Sequence, residues 1–248
     1  MAAGGEAHNP LEQFEIHRLI DLQIGGIDIS FTNSALWTGI VVLVATGFLM
    51  LATSRAALVP GRLQSVAEMT YEFVANLLKE NTGTQGMKYF PLVFSLFVFV
   101  LMANMIGMVP YAFTVTSHLA VTATMALIII VAITLLGLIK HGTGFFHLFL
   151  PSGVPLWLAP LLIPIEVISY LTRPVSLSVR LFANMMAGHT TLKVFGGFVV
   201  ALGVVGGILP MAMIVALTAL EFLVAFLQAY IFTILTCIYL NDALHPHH

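Results

Sequence analysis

The sequence predicts an all-α integral membrane protein with about five membrane-crossing helices and an amphipathic surface helix. The last two long helices are expected to form a tilted hairpin. Three observations carry this. Only 8% of the 248 residues are charged and 59% are hydrophobic, where a soluble domain carries about 25% charged residues; mean hydropathy is +1.02. Apolar runs long enough to cross a bilayer as helices recur along the chain. Between two of these runs, residues 62–80 keep helical periodicity but have one polar side. A net charge of −2 gives no electrostatic footprint for nucleic acid, and the single Cys237 excludes an internal disulfide and any cysteine-based metal site.

Residues 1–33 read as a polar extracytoplasmic leader. They include a short interfacial helix near HNPLEQFEIH and a turn at Gly25-Gly26, and they lack the basic start and apolar core of a secretory leader. Residues 34–248 read as one membrane domain. The first span, 34–53, is uncharged, with Trp37 suited to an interface and Arg55 beyond the other end. In 62–80, Leu63, Val66, Met69, Phe73 and Leu77 line one side, opposite Arg62, Ser65, Glu68, Glu72 and Lys79. That pattern suits a helix lying on the membrane surface. Residues 89–112 form a second span closed by Pro110 and Tyr111, with Asn104 as helix–helix glue. Residues 119–139 form a third, closed by Lys140 and His141.

Pro151, Pro155, Pro160 and Pro164 predict an irregular re-entrant segment over 145–164. A helix is then expected from Ile165 to about Lys193; a run of 25 residues already covers about 37 Å, so it is tilted or bent, with Pro174 the bend point. The last helix is expected from about Gly197 to Leu240, with Gly203, Gly206, Gly207 and Pro210 permitting a break near its start. Together 165–240 form the tilted hairpin. Arg55, Arg62, Lys79 and Lys88 in the 54–88 loop, and Lys140 after the third span, put those segments in the cytoplasm by the positive-inside rule. The N-terminus is then extracytoplasmic and the C-terminus cytoplasmic.

Function points to Arg180. Apolar residues flank it for several turns and no acid lies among its helical neighbours. Arginine stays protonated in proteins, and holding one at the centre of a bilayer costs roughly 2.5–3.5 kcal/mol on insertion scales. Such a residue marks an ion path or meets a partner charge, here expected on another polypeptide. Glu166, Ser169, Arg173, Ser176, Arg180 and Asn184 follow one another at steps of three or four, so they share one helix face. The last helix carries a sparser stripe of Thr218, Glu221 and Gln228. In an antiparallel hairpin, the register that sets Arg180 opposite Gln228 also sets His189 opposite Glu221 within two residues. Ala183 and Ala187 give a small-residue face suited to close sliding.

These segments carry a family resemblance. SVRLFANMMAGH, followed by FLVAFLQAYIFTILTCIYL, resembles subunit a of the F-type ATP synthase, which has an arginine in an (L/V)RLF-x-N motif and a glutamine in LQA(F/Y)IF. HNPLEQFEI and NMIGMVP resemble further signatures of that family, so the likeness spans essentially the whole chain. The resemblance implies a proton-translocating stator subunit in the Fo sector of a bacterial inner membrane, with no catalytic site of its own. Its partners would be a rotating c-ring, peripheral-stalk b-type subunits and the lipid bilayer. It implies no cofactor, metal or nucleotide on this chain. Arg180 would face the carboxylates of the ring. A cytoplasmic half-channel would use Glu166, Ser169, Arg173 and Ser176, and an outer one Asn184, His189, Glu221 and Gln228. Some family members carry the acid and the histidine of the last pair in exchanged positions.

Two other classes fit less well. A stand-alone proton-coupled secondary transporter usually shows internal repeats, and none is visible. A haem-binding subunit needs facing axial histidines within spans; only His189 lies well inside an apolar helix, while His118, His141 and His147 sit at ends or in loops.

Overall fold

Long apolar runs leave the backbone no partner but itself, so the membrane segments become helices. The computed structural model describes residues 17–245 apart from 22, 25–26, 29, 55–56, 110–111, 143 and 146–157. The six helices are α1 (Asn33–Thr53), α2 (Arg62–Thr82), α3 (Phe90–Gly107), α4 (Leu119–His141), α5 (Ala159–Gly206) and α6 (Ile208–Leu244). All but α2 are long and apolar enough to cross a membrane. Ahead of α1 lie two short antiparallel ribbons. Strand β1 (Arg18–Ile20) pairs with β4 (Phe31–Thr32), and β2 (Gln23–Ile24) pairs with β3 (Ile27–Asp28). Ile24 pairs with Ile27, and the expected turn at Gly25-Gly26 lies outside the described residues. Most of the expected interfacial helix near HNPLEQFEIH lies outside the described residues.

Helix α6 is the hub, packing against α2, α3, α4 and α5. The main core draws Val74 and Leu78 from α2, Val93 and Phe97 from α3, Leu177 and Leu181 from α5, and Ala229 and Phe232 from α6. The α2 helix keeps Arg62, Glu68, Glu72, Lys79 and Glu80 outward and buries Val74, Leu77 and Leu78. At its start, Leu63, Val66 and Met69 remain exposed and apolar, as a helix resting on lipid requires. Short polar links pin the helices together. Asn104 Nδ2 donates to the Ala225 carbonyl at 3.2 Å, and Thr122 Oγ1 to the Ser178 carbonyl at 3.3 Å. The ring of His141 lies 3.1 Å from the Leu244 carbonyl.

Three expected boundaries change. Helix α5 starts at Ala159 and absorbs Pro160 and Pro164; Pro160 lies in the first turn, where it removes an N–H that no carbonyl would have met, whereas Pro164 lies inside the helix. Pro151 and Pro155 lie outside the described residues. Residues 194–206 continue α5 instead of opening α6, and the hairpin turns at Gly203–Gly207. Gly203 adopts φ 67°, ψ −166°, which side-chain-bearing residues rarely reach, while a Cβ on Gly207 would meet the Gly203 carbonyl at 2.6 Å. Gly203 is the one non-helical residue within α5, and Pro174, the expected bend point, keeps helical dihedrals. At 1.5 Å per residue α5 runs about 70 Å, more than twice a ~30 Å hydrocarbon core, so it must lie obliquely. Finally, α3 stops at Gly107 rather than near 112. Residues 112–117, described throughout, then fold back as a buried loop with a 3-10 turn at Val115–Ser117.

Candidate functional site: a polar path along the α5–α6 hairpin

The 3–4 spacing on α5 places its polar residues along one edge of the hairpin. Thr172, Arg173, Ser176 and Arg180 line an open cavity of about 420 Å³, completed by Leu177 and by Leu235 from α6. Arg173, Ser176, Arg180 and Asn184 are all exposed, and Glu166 and Ser169 are half-buried nearer the start of α5. Arg180 makes no hydrogen bond or ion pair with a described residue, and no acid lines the cavity. Two guanidinium groups thus share an open, partly apolar groove that no acid among the described residues lines.

At the start of this groove Arg173 has company that its sequence neighbours do not reveal. Its guanidinium carbon sits 5.9 Å from the ring centroid of Tyr239, within cation–π range. Tyr239 stacks edge-on against Tyr170 with centroids 5.4 Å apart, and the Tyr170 hydroxyl lies 2.8 Å from Thr134 Oγ1. Beneath Arg173, Pro174, Thr236 and Tyr239 is a cavity of about 10 Å³, barely room for one water. Sequence reasoning missed Tyr239. Its signal was its position three turns beyond Gln228 on the same face of α6.

Toward the α3–α4 loop the setting differs. Asn184 is exposed, but His189 and Glu221 are half-buried, and Gln228 is only 4% exposed. The hairpin register matches expectation within one residue: a Cβ built on Gly188 would stand 2.9 Å from Glu221 Cδ, so the glycine is what admits the carboxyl. No hydrogen bond joins His189 to Glu221, however, nor Arg180 to Gln228. Instead His189 Nε2 lies 3.3 Å from Thr114 Oγ1. That hydroxyl donates its one proton to the Gly107 carbonyl at 3.1 Å. It is therefore an acceptor toward the imidazole, which assigns the proton to His189 Nε2. Glu221 Oε1, Gln228 Oε1 and Asn104 Oδ1 are buried without a protein partner. Buried polar atoms are normally paired, to protein or to water, so each of these three oxygens calls for a water or another partner. Among the described residues, no group of three or more His, Cys, Asp or Glu side chains is placed to hold a metal.

Comparison with known proteins gives one consistent result. A family model described as "ATP synthase A chain" matches residues 35–241. The chain is 63% identical over 246 residues to a protein of Mesorhizobium japonicum named "ATP synthase subunit a", covering 97% of this chain and 98% of that one. It is 60% identical over 246 residues to the protein of that name from Allorhizobium ampelinum, again covering 97% and 98%. With the protein of that name from Rhodospirillum rubrum it shares 59% over 240 residues, covering 97% of this chain and all of the other.

Proposed function

This chain belongs to the ATP synthase subunit a family, and from that we propose that it carries protons past a rotating c-ring through two offset aqueous half-channels separated by Arg180. The family makes it a membrane subunit of the Fo sector and gives the coarse role, proton translocation. The observation that carries the finer reading is the open groove that holds Arg173 and Arg180 and that no acid among the described residues lines. A partner surface that is apolar and carries a carboxylate at mid-membrane fits that groove, and a c-ring presents one.

The chemistry follows from the residues. A protonated acid is neutral and tolerates lipid. Beside Arg180 its ionised form is favoured, because an opposite charge within about 4–6 Å lowers a carboxyl pKa. The acid therefore gives up its proton as it reaches the arginine. Glu166, Ser169, Arg173 and Ser176 line the route to the cytoplasmic side; Asn184, His189, Glu221 and Gln228 line the route to the outer side. Since arginine does not deprotonate in proteins, Arg180 separates the two routes without passing a proton itself. The open groove admits water, which raises the effective dielectric and keeps the ion pair weak enough to break as the ring turns. The membrane potential supplies about 2.3 kcal/mol per charge per 100 mV.

The same reading puts residues 1–33 and the α3–α4 loop outside, and α2, Lys140 and the C-terminus in the cytoplasm, of a bacterial inner membrane. The basic residues of the 54–88 segment support that orientation. The exposed apolar start of α2 gives b-type stalk subunits and lipid a surface to rest on.

Membrane vesicles carrying the assembled complex with Arg180→Ala test the proposal. ATP-driven acidification should vanish, while passive proton leak after removal of the soluble sector persists. Normal pumping by this variant would overturn it.

A further inference from the structure

The loop between α3 and α4 contains polar groups that the path above does not use. Residues 112–117 are buried, which is unusual for a connection between spans, since loops ordinarily run over the surface. Their 3-10 turn packs against α1, α3, α4 and α5. Thr114 is 3% exposed and lies against His189, as described. Thr116 is 1% exposed, and its Oγ1 has no protein partner. His118 caps the start of α4, stacked on Phe113 with ring centroids 4.9 Å apart; its Nε2 is also buried and unpartnered. Thr116 and His118 follow Thr114 in the same short turn, so their unpartnered atoms belong to the loop that meets His189.

We infer that this loop is the outer mouth of the proton path, with His118 as a proton relay and the Thr114 and Thr116 hydroxyls as the lining that connects it to His189. The inference rests on the functional reading above. In each cycle the His118 ring takes a proton on one nitrogen from the outer aqueous phase and releases one from the other nitrogen into the line toward His189. The ring ends in its other neutral tautomer and resets by ring rotation, so one proton is delivered per cycle and no net charge accumulates. Burial lowers the pKa of His118 from its ordinary 6.5, which keeps the ring neutral between transfers and favours release of a proton it has taken up. An apolar loop would seal this end of the bundle equally well by packing alone; the two unpartnered buried atoms are what packing leaves unexplained.

The test uses the intact complex in vesicles, comparing His118→Ala, His118→Phe and Thr116→Val. His118→Phe keeps a ring against Phe113 but has no nitrogen. For a relay, passive proton flux through the stripped membrane sector falls roughly tenfold, about 1.4 kcal/mol on the barrier, in both His118 variants. Added imidazole restores flux in His118→Ala, and Thr116→Val shows a smaller loss. ATP hydrolysis by the released soluble sector stays unchanged. Normal flux in His118→Phe would overturn the inference and leave the loop a packing element. Loss of flux without imidazole rescue, at normal assembly, would overturn it as well. If Arg180→Ala abolishes pumping while the His118 variants conduct normally, this inference alone fails; if Arg180→Ala pumps normally, the reading beneath it fails first.

Discussion

The two ends of the α5–α6 hairpin carry similar polar residues in opposite settings. From Arg173 to Arg180 the stripe lies in an open groove that none of the described residues covers. At Gly188 and His189 it is half-buried against Glu221 of α6 and Thr114 of the buried α3–α4 loop. A charge left open in a membrane protein needs a partner; a polar group enclosed without one needs water or a proton. On the proposed reading, the open end waits for another polypeptide, while the half-buried end is built from this chain. Changes in the groove should show only in the assembled complex, whereas changes at the enclosed end should also show in the chain itself.

After Arg180, the largest effect belongs to Glu221, a half-buried carboxyl with an unpartnered oxygen. Glu221→Gln keeps shape and removes the ionisable group. Proton pumping should fall about 100-fold, in the range a positioned proton-transfer group contributes, with the complex still assembled. A variant pumping at more than a tenth of the normal rate in ATP-driven acidification would show that the enclosed end passes protons without it.

Next comes the groove. Ser176 is exposed and lines it beside Arg173 and Arg180. Ser176→Leu should change the stability of the isolated chain by no more than about 0.5 kcal/mol, as surface substitutions usually do. It should slow pumping about tenfold, since the bulk intrudes where the partner slides. Full pumping by Ser176→Leu, measured alongside the thermal stability of the detergent-solubilised chain, would mean that the groove is not the running surface.

How much of this was legible in the sequence depended on the kind of constraint. The spans were legible because lipid tolerates no interruption. The α5 stripe was legible because a spacing of three and four puts residues on one face whatever the surroundings. The hairpin register came within one residue because antiparallel pairing leaves little freedom: Gly188, not His189, stands against Glu221. Rotation about each helix axis was not legible. Gln228 turns into the core while Arg180 turns outward, so residues level with each other do not touch. The buried loop at 112–117 was missed because Thr114, Thr116 and Ser117 have the composition of an ordinary surface connection; its burial is set by the gap between α3, α4 and α5. Tyr239 beneath Arg173 was missed because an aromatic ring in an apolar helix reads as packing.

The third test asks whether shape holds the enclosed end together. At Gly188→Val the new side chain would run into the Glu221 carboxyl. Overpacking of this kind costs about 1–3 kcal/mol, and the helices must part or Glu221 must swing away. Thermal unfolding of the solubilised chain should report the loss directly. An unchanged midpoint would show that the hairpin is looser than the contact at Gly188 implies.

The smallest effect separates shape from hydrogen bonding at the same end. Asn104 is fully buried and donates to the Ala225 carbonyl, but its Oδ1 has no partner. Asn104→Leu, of similar size, removes the hydrogen bond and the unpaired oxygen together. Interhelical hydrogen bonds in membranes contribute about 0.6 kcal/mol on average, and losing an unsatisfied buried oxygen offsets part of that. Stability should therefore shift by less than about 0.6 kcal/mol, well below the Gly188→Val cost, while proton flux falls if Oδ1 orders water between Glu221 and Gln228. A shift as large as that of Gly188→Val would mean that hydrogen bonds rather than packing close this end. A small shift with flux intact would leave Asn104 a helix–helix link and confine the wet path to α5, α6 and the loop.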